Sequence, residues 1–237
     1  MPPLPSYQIK QSPKAKHLRL KVTPQDGLCV VVPRGFDEAK IPAILKQKKD
    51  WIADALATAK ERRRFFEQQP AHHLPERMDL CAIGETWAIE YSVDQAKSGL
   101  WLRAAPGQLT ISSANLPRPE VIAKLKEWLR LRVRECLFPL VTRLSEKHSL
   151  PINELLVKNQ RTRWASCSAS KNLALNIKLL FLSPEMVRYV LVHELCHTVH
   201  MNHTKEFWRL VSCYEPSYRV LDQSLRDAWK TIPQWIF

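Results

Sequence analysis

Residues 183–204 read SPEMVRYVLVHELCHTVHMNHT, and the reading of this stretch decides the fold. Ser183 suits a helix cap, Pro184 fits a first turn where no backbone N–H is needed, and Glu185 complements the helix dipole. Val187, Val190, Leu191 and Leu195 recur at three- and four-residue spacing, with Val199 extending the stripe. That spacing predicts a helix to about Met201 with one buried face. His193 and His197 are one turn apart, so they lie side by side on another face, close enough to share one metal ion. Glu194 flanks them and is placed to take a proton from water activated on the ion, without binding the ion itself. Neutral imidazoles match a borderline-soft cation, so the expected cofactor is zinc, one ion per chain. The bland alternative is two surface histidines on an amphipathic helix. The cap, the strand before the helix and a further histidine after it all count against that.

A hydrolytic zinc takes three protein ligands and keeps a fourth position open. His203 follows His197 by six residues, and Asn202 tolerates the left-handed conformation that ends helices. A reversal there would return His203 to the metal while Thr204 caps a next helix, Lys205 to about Cys213. His200 and Glu215 are the alternative third ligands, although Pro216 interrupts the helix that Glu215 would need.

Upstream, residues 172–181, NLALNIKLLF, alternate as a strand with Leu173, Leu175, Ile177, Leu179 and Phe181 on one face. An extended peptide could pair with residues 172–178, unless the strand is internal and has no free edge. Pro117 and Pro119 open a long helix to about Lys147, with Ile122, Leu125, Leu129, Val133, Leu137, Leu140 and Leu144 as its stripe. Its other face carries Lys124, Lys126, Arg130, Arg132, Arg134 and Arg143. Strand signals occupy residues 80–113, and residues 37–69 read as another long helix containing Ile41, Leu45, Trp51 and Ile52. Residues 1–33 alternate as strands with a turn at Asp26-Gly27. The expectation is an α+β chain: residues 1–115 a β-rich half with helix 37–69, residues 116–237 a catalytic half. One undivided unit is the alternative.

The chain has 237 residues, 45% hydrophobic and 25% charged, enough to bury a substantial core. No run of about eighteen apolar residues would span a bilayer, and the start lacks the apolar core of a secretory signal. Six scattered cysteines without a C-x-x-C pair read as thiols, so cytoplasmic localisation is expected. The formal net charge of +13 suits a polyanion partner, nucleic acid above all, and a soluble enzyme that is merely basic is the alternative, which net charge alone does not separate from it.

Arg161-Thr162-Arg163-Trp164-Ala165-Ser166-Cys167-Ser168, then Asn172-Leu173 and Asn176, then HELCH, then Asn202-His203-Thr204 with Phe207-Trp208 together resemble the YgjP-like metal-dependent hydrolases. These group with the SprT-like minimal zinc peptidases. The opening strands, Pro33 and the Lys48–Trp51–Ile52 helix extend the resemblance over nearly the whole chain. Ala165 stands where that family usually has glycine. The resemblance implies a zincin-like core, a mixed sheet plus the metal-binding helix, with His193, His197 and His203 on zinc and Glu194 activating water. It also implies a protein or peptide substrate, and relatives in the wider group clear protein crosslinks from DNA. No methionine follows Met201, so the methionine turn of the metzincins is absent.

Candidate substrate-binding residues are Arg161, Arg163, Asn176 and Tyr218. The arginines would hold a carboxylate, a phosphate or a developing oxyanion, or would instead form a buried ion pair that fixes their loop. Tyr218 and Tyr214 are possible donors to a tetrahedral intermediate. Ser166 and Cys167 are unneeded as nucleophiles if metal-activated water attacks. The expected activity is zinc-dependent peptide hydrolysis. The alternatives are a nucleic-acid-associated peptidase, a non-peptide zinc hydrolase, and a nucleic-acid-binding module with structural zinc.

Overall fold

Alternating strands open the chain and build a small mixed sheet. The structure, a computed structural model, describes residues 5–23, 26–68 and 73–237. The chain clusters into two units, Met1–Pro70 and Ala71–Phe237. In the first, β1 (Tyr7–Gln11), β2 (Arg19–Thr23) and β3 (Gly27–Val32) lie in the order β1-β3-β2, with β1 parallel and β2 antiparallel to β3. Gly27 enters β3 at φ +66°, a conformation that costs other residues more than glycine. Leu28, Val30 and Val32 point to one face, where Ile41, Leu45 and Ile52 from α1 (Ile41–Gln47) and α2 (Lys49–Gln68) cover them. The single helix expected over 37–69 is therefore two. Asp37 caps a short 3-10 turn, Pro42 suits a fresh first turn, and Lys48 breaks the path between α1 and α2. Trp51, counted in the apolar stripe, stays 49% exposed.

The second unit begins with β4 (Arg77–Leu80), β5 (Glu85–Val93), β6 (Trp101–Ala105) and β7 (Gln108–Ser113), in the order β4-β5-β7-β6. Met78, Leu80, Ile89, Leu109 and Ile111 share one core with the helices that follow, so the composition change near residue 115 falls inside this unit. The long helix runs as α3 (Arg118–Arg132), a π-helical turn over Val133–Leu137, and α4 (Phe138–His148). Leu125, Leu129, Val133, Leu137 and Val141 are all buried at constant four-residue spacing. Each such step turns about 40° beyond a full revolution of an α-helix. The wider π turn, closed by Phe138 N–H onto Val133 O, offsets that drift and also accommodates Pro139.

A third sheet, β8 (Glu154–Lys158), β9 (Ala165–Cys167) and β10 (Asn172–Asn176), has the order β8-β10-β9. The expected strand over 172–181 stops at Asn176, and Ile177–Phe181 forms a 3-10 helix. Leu173 to Leu182 are all buried, including Asn176 and Lys178, so alternation of hydrophobic type did not reflect alternation of exposure. The helix that decided the fold, α5 (Pro184–Cys196), is followed by α6 (Lys205–Tyr214) and α7 (Tyr218–Asp227). The tail packs inward through buried Trp229, Ile232 and Ile236. Three mixed sheets with long helices make the chain α+β. No helix among the described residues is long and apolar enough to cross a membrane.

Candidate metal centre

Ser183 Oγ accepts the Met186 N–H at 3.4 Å, so α5 begins where its sequence signals placed it. It ends earlier than expected: His197 is the C-cap, and Thr198 and Val199 continue only as hydrogen-bonded turns. Val199 leaves the stripe and is 55% exposed. Asn202 does not take the left-handed conformation, since positive φ among the described non-glycine residues is confined to Ser149 and Lys171. The chain reverses instead through a Thr204 N–H to Asn202 O bond of 2.8 Å, and Thr204 Oγ1 caps α6.

The reversal gathers His193, His197 and His203, with one potential ligand atom from each lying within 4.8 Å of the others. His193 Nε2 and His203 Nε2 are 3.0 Å apart. Tetrahedral zinc with Zn–N of about 2.0–2.1 Å needs ligand nitrogens about 3.4 Å apart, so small ring movements complete the fit. Aromatic packing fixes the rings: Phe207 stacks on His197 at 4.5 Å and Trp208 on His203 at 5.6 Å. His197 Nδ1 lies 2.9 Å from His200 O, so Nδ1–H donates there and Nε2 keeps its lone pair for a ligand role. His200 thus contributes a carbonyl. Glu215 is occupied in an ion pair with Arg188 at 3.0 Å and lies outside the cluster. Burial and the two neighbouring imidazoles push the His193 titration down to about 3, which keeps the ring neutral and able to bind a cation.

Glu194 is 9% exposed, and burial raises its carboxyl to about 7 despite the Cys167 backbone N–H donated to it and the nearby Arg163 charge. It faces a cleft of about 680 Å³ together with the three histidines, Arg163, Tyr189 and the whole of β9. Tyr189 donates its hydroxyl to Asp222 at 2.9 Å, and Asp222, Leu225 and Arg226 of α7 line the same cleft. These α7 residues, and the Cys167 N–H on Glu194, were not singled out from sequence. Only the amphipathic pattern of 218–227 and the Ala165-Ser166-Cys167 motif hinted at them.

The substrate-binding candidates separate. Arg163 is exposed and lines the cleft, whereas Arg161 is exposed away from it; neither has an ion-pair partner among the described residues, so the buried pair suggested for them is not formed. Their loop is held through its backbone instead. Asn176 donates to Gln160 O at 2.8 Å and Arg163 O at 2.7 Å and accepts from Lys178 N, while Lys178 Nζ donates to Gln160 O and Arg161 O. Asn176, 1% exposed and fully used in these bonds, is thus a loop anchor and not a residue of the cleft. Tyr218 stacks on Trp208 at 5.4 Å, behind His203, and does not line the cleft. Residues 172–176 are the central strand of their sheet, so of the two readings offered for this stretch the internal strand without a free edge holds and peptide pairing there does not. Pairing of Ser168 with Asn172 and of Trp164 with Asn176 turns these residues' polar groups toward β10. By alternation, the N–H and C=O of Ala165 point to the other side, toward the cleft.

A metal-ligand cluster with a nearly buried carboxyl beside it, open to a cleft, is the equipment of a metal-dependent hydrolase. The chain belongs to the YgjP-like family, whose metallopeptidase domain matches residues 16–228. A search of curated proteins finds no significant match.

Proposed function

We propose that the protein is a zinc-dependent peptidase with a zincin-like core. The observation that carries this reading is the joint placement of His193, His197 and His203 around one point, with the Glu194 carboxyl in the same cleft. The three imidazoles would hold the ion, which when bound supplies Lewis-acid polarisation of water and of the substrate carbonyl. An extended peptide adds to β9 as an antiparallel strand, with the Ala165 N–H and C=O pairing to its backbone beside the metal position. Glu194, nearly buried beside the three histidines, takes the proton of the attacking water and returns it to the departing amine. Arg163, free of any carboxylate partner among the described residues, stabilises negative charge developing on the substrate. The charge of +13 supports action on proteins carried by nucleic acid. A structural zinc is disfavoured because such a site closes all four positions, whereas these histidines line an open cleft.

Metal content and peptide turnover of the wild type, His203→Ala and Glu194→Gln decide the matter. Wild type is expected to carry one zinc and cleave an unstructured protein. His203→Ala should lose both properties. Glu194→Gln should keep zinc and lose about 10²–10⁴ in kcat/KM. Full zinc in His203→Ala, or undiminished turnover in Glu194→Gln, would remove the assigned roles.

A further inference from the structure

Residues 1–70 hold fourteen Lys and Arg against seven Asp and Glu, so the smaller unit carries more than half of the net charge of +13. Within it the charge is concentrated: residues 1–25 have five Lys and Arg and no acid at all. Strand register sorts three of these cations onto one surface. The face of the sheet bearing Leu28, Val30 and Val32 is covered by α1 and α2. On the opposite face the cross-strand rows are Lys10–Val31–Arg19 and Gln8–Cys29–Lys21. Gln8, Lys10, Arg19 and Lys21 are exposed, and Cys29 and Val31 are half-buried between them. Strand spacing puts Lys10 and Arg19 about 10 Å apart across β3, and Arg19 and Lys21 about 7 Å apart along β2.

None of the three cations has an ion-pair partner among the described residues; Lys40–Asp37 and Arg63–Glu67 lie on the helical side of the unit. The nearest acid along the chain is Asp26, beyond the end of β2, whose carboxylate accepts from the Thr23 hydroxyl at 3.0 Å. A flat face with several unneutralised cations is complementary to a dense row of negative charges, and neutralising them releases condensed counterions. We infer that this open face of the N-terminal sheet docks the phosphodiester backbone of nucleic acid. Its lack of aromatic side chains means that phosphates are held and bases are not read. The half-buried Cys29 and Val31 offer too little apolar surface to enter a bilayer or to anchor a protein interface. Such a surface would bring the proposed peptidase to proteins on nucleic acid. It does not rest on that reading, because binding is measured without hydrolysis.

Fluorescence anisotropy of the full, metal-loaded chain with single-stranded DNA, duplex DNA and RNA, at salt between about 50 and 200 mM, tests the inference. The comparison is between wild type, K10Q/R19Q/K21Q, and R134Q/R143Q/K147Q, which removes equal charge from exposed residues of the long helix in the C-terminal unit. Melting curves verify that both variants fold, and peptide turnover without nucleic acid should be unchanged in both. Wild-type affinity should fall steeply with salt and be indifferent to base sequence. K10Q/R19Q/K21Q should bind at least about tenfold more weakly, with a salt slope shallower by about 2–3. The other variant should stay within about twofold of wild type. Equal loss in both variants, dependence on base sequence, no wild-type binding to any of the three polymers, or preferential binding to polyglutamate or anionic lipid vesicles would each overturn the inference.

Discussion

Burial moves Glu194 and His193 in opposite directions, to about 7 and about 3 from their ordinary 4.5 and 6.5. In the metal-free chain the folded state therefore keeps a proton on Glu194 that the unfolded state releases. The stability this contributes is full below about 4.5 and is lost as pH rises through 7. For His193 the sign is reversed: stability is present above 6.5 and lost as pH falls through about 3. Glutamine cannot ionise, so in Glu194→Gln only the histidine effect remains. Denaturant titrations of the chelated proteins should show the variant gaining on wild type between pH 4.5 and 7, by about 3 kcal/mol. A difference independent of pH would show that the carboxyl is solvated in the folded chain. The residue types and their order were legible in HELCH, whereas the burial that sets their proton affinities was not, because it depends on β9 and α7.

At the scale of elements, the capped start of α5 and the cap of α6 were readable from Ser183, Pro184 and Thr204, since capping uses neighbours only a few residues away. The end of β10 was not. Asn176 stops the strand by accepting from Lys178 N, and its other bonds reach back to residues 160 and 163. Removing this amide takes the side-chain partner from Arg163 O and from the Lys178 N–H and leaves Gln160 O to Lys178 Nζ, in a nearly closed site. Asn176→Ala is expected to cost about 2–4 kcal/mol in urea unfolding. It should also raise KM for peptide through a loosened Arg163 loop, with the metal content kept. An unchanged midpoint and unchanged kinetics would show that the loop is held by Lys178 alone. The helix over 117–147 was legible in outline, but its π turn was not, because apolar residues every four positions fit a continuous helix nearly as well.

Across the whole molecule, the ligand cluster joins α5 to the turn before α6, and an ion bound there links these elements in the folded state only. At ion concentrations about a thousandfold above Kd the stabilisation is about 4 kcal/mol, so chelation should lower the melting midpoint by roughly 10 °C. The His203→Ala variant should show no response to chelator. An equal shift in that variant would place the stabilising ion elsewhere. The sequence by itself determined the helix that carries HELCH, its cap, the pairing of His193 and His197 beside Glu194, and the excess of positive charge, because these follow from residue type and local periodicity, whereas the gathering of His203 with them came from the chain reversal. Tertiary structure alone decided which strand borders the cleft, since strand order sets the free edge and put β9 there instead of residues 172–178. It also decided that Arg163 and not Arg161 faces the cleft, and that α7 lines it. Those outcomes depend on contacts between residues far apart in the chain, and no pattern within a single segment records them.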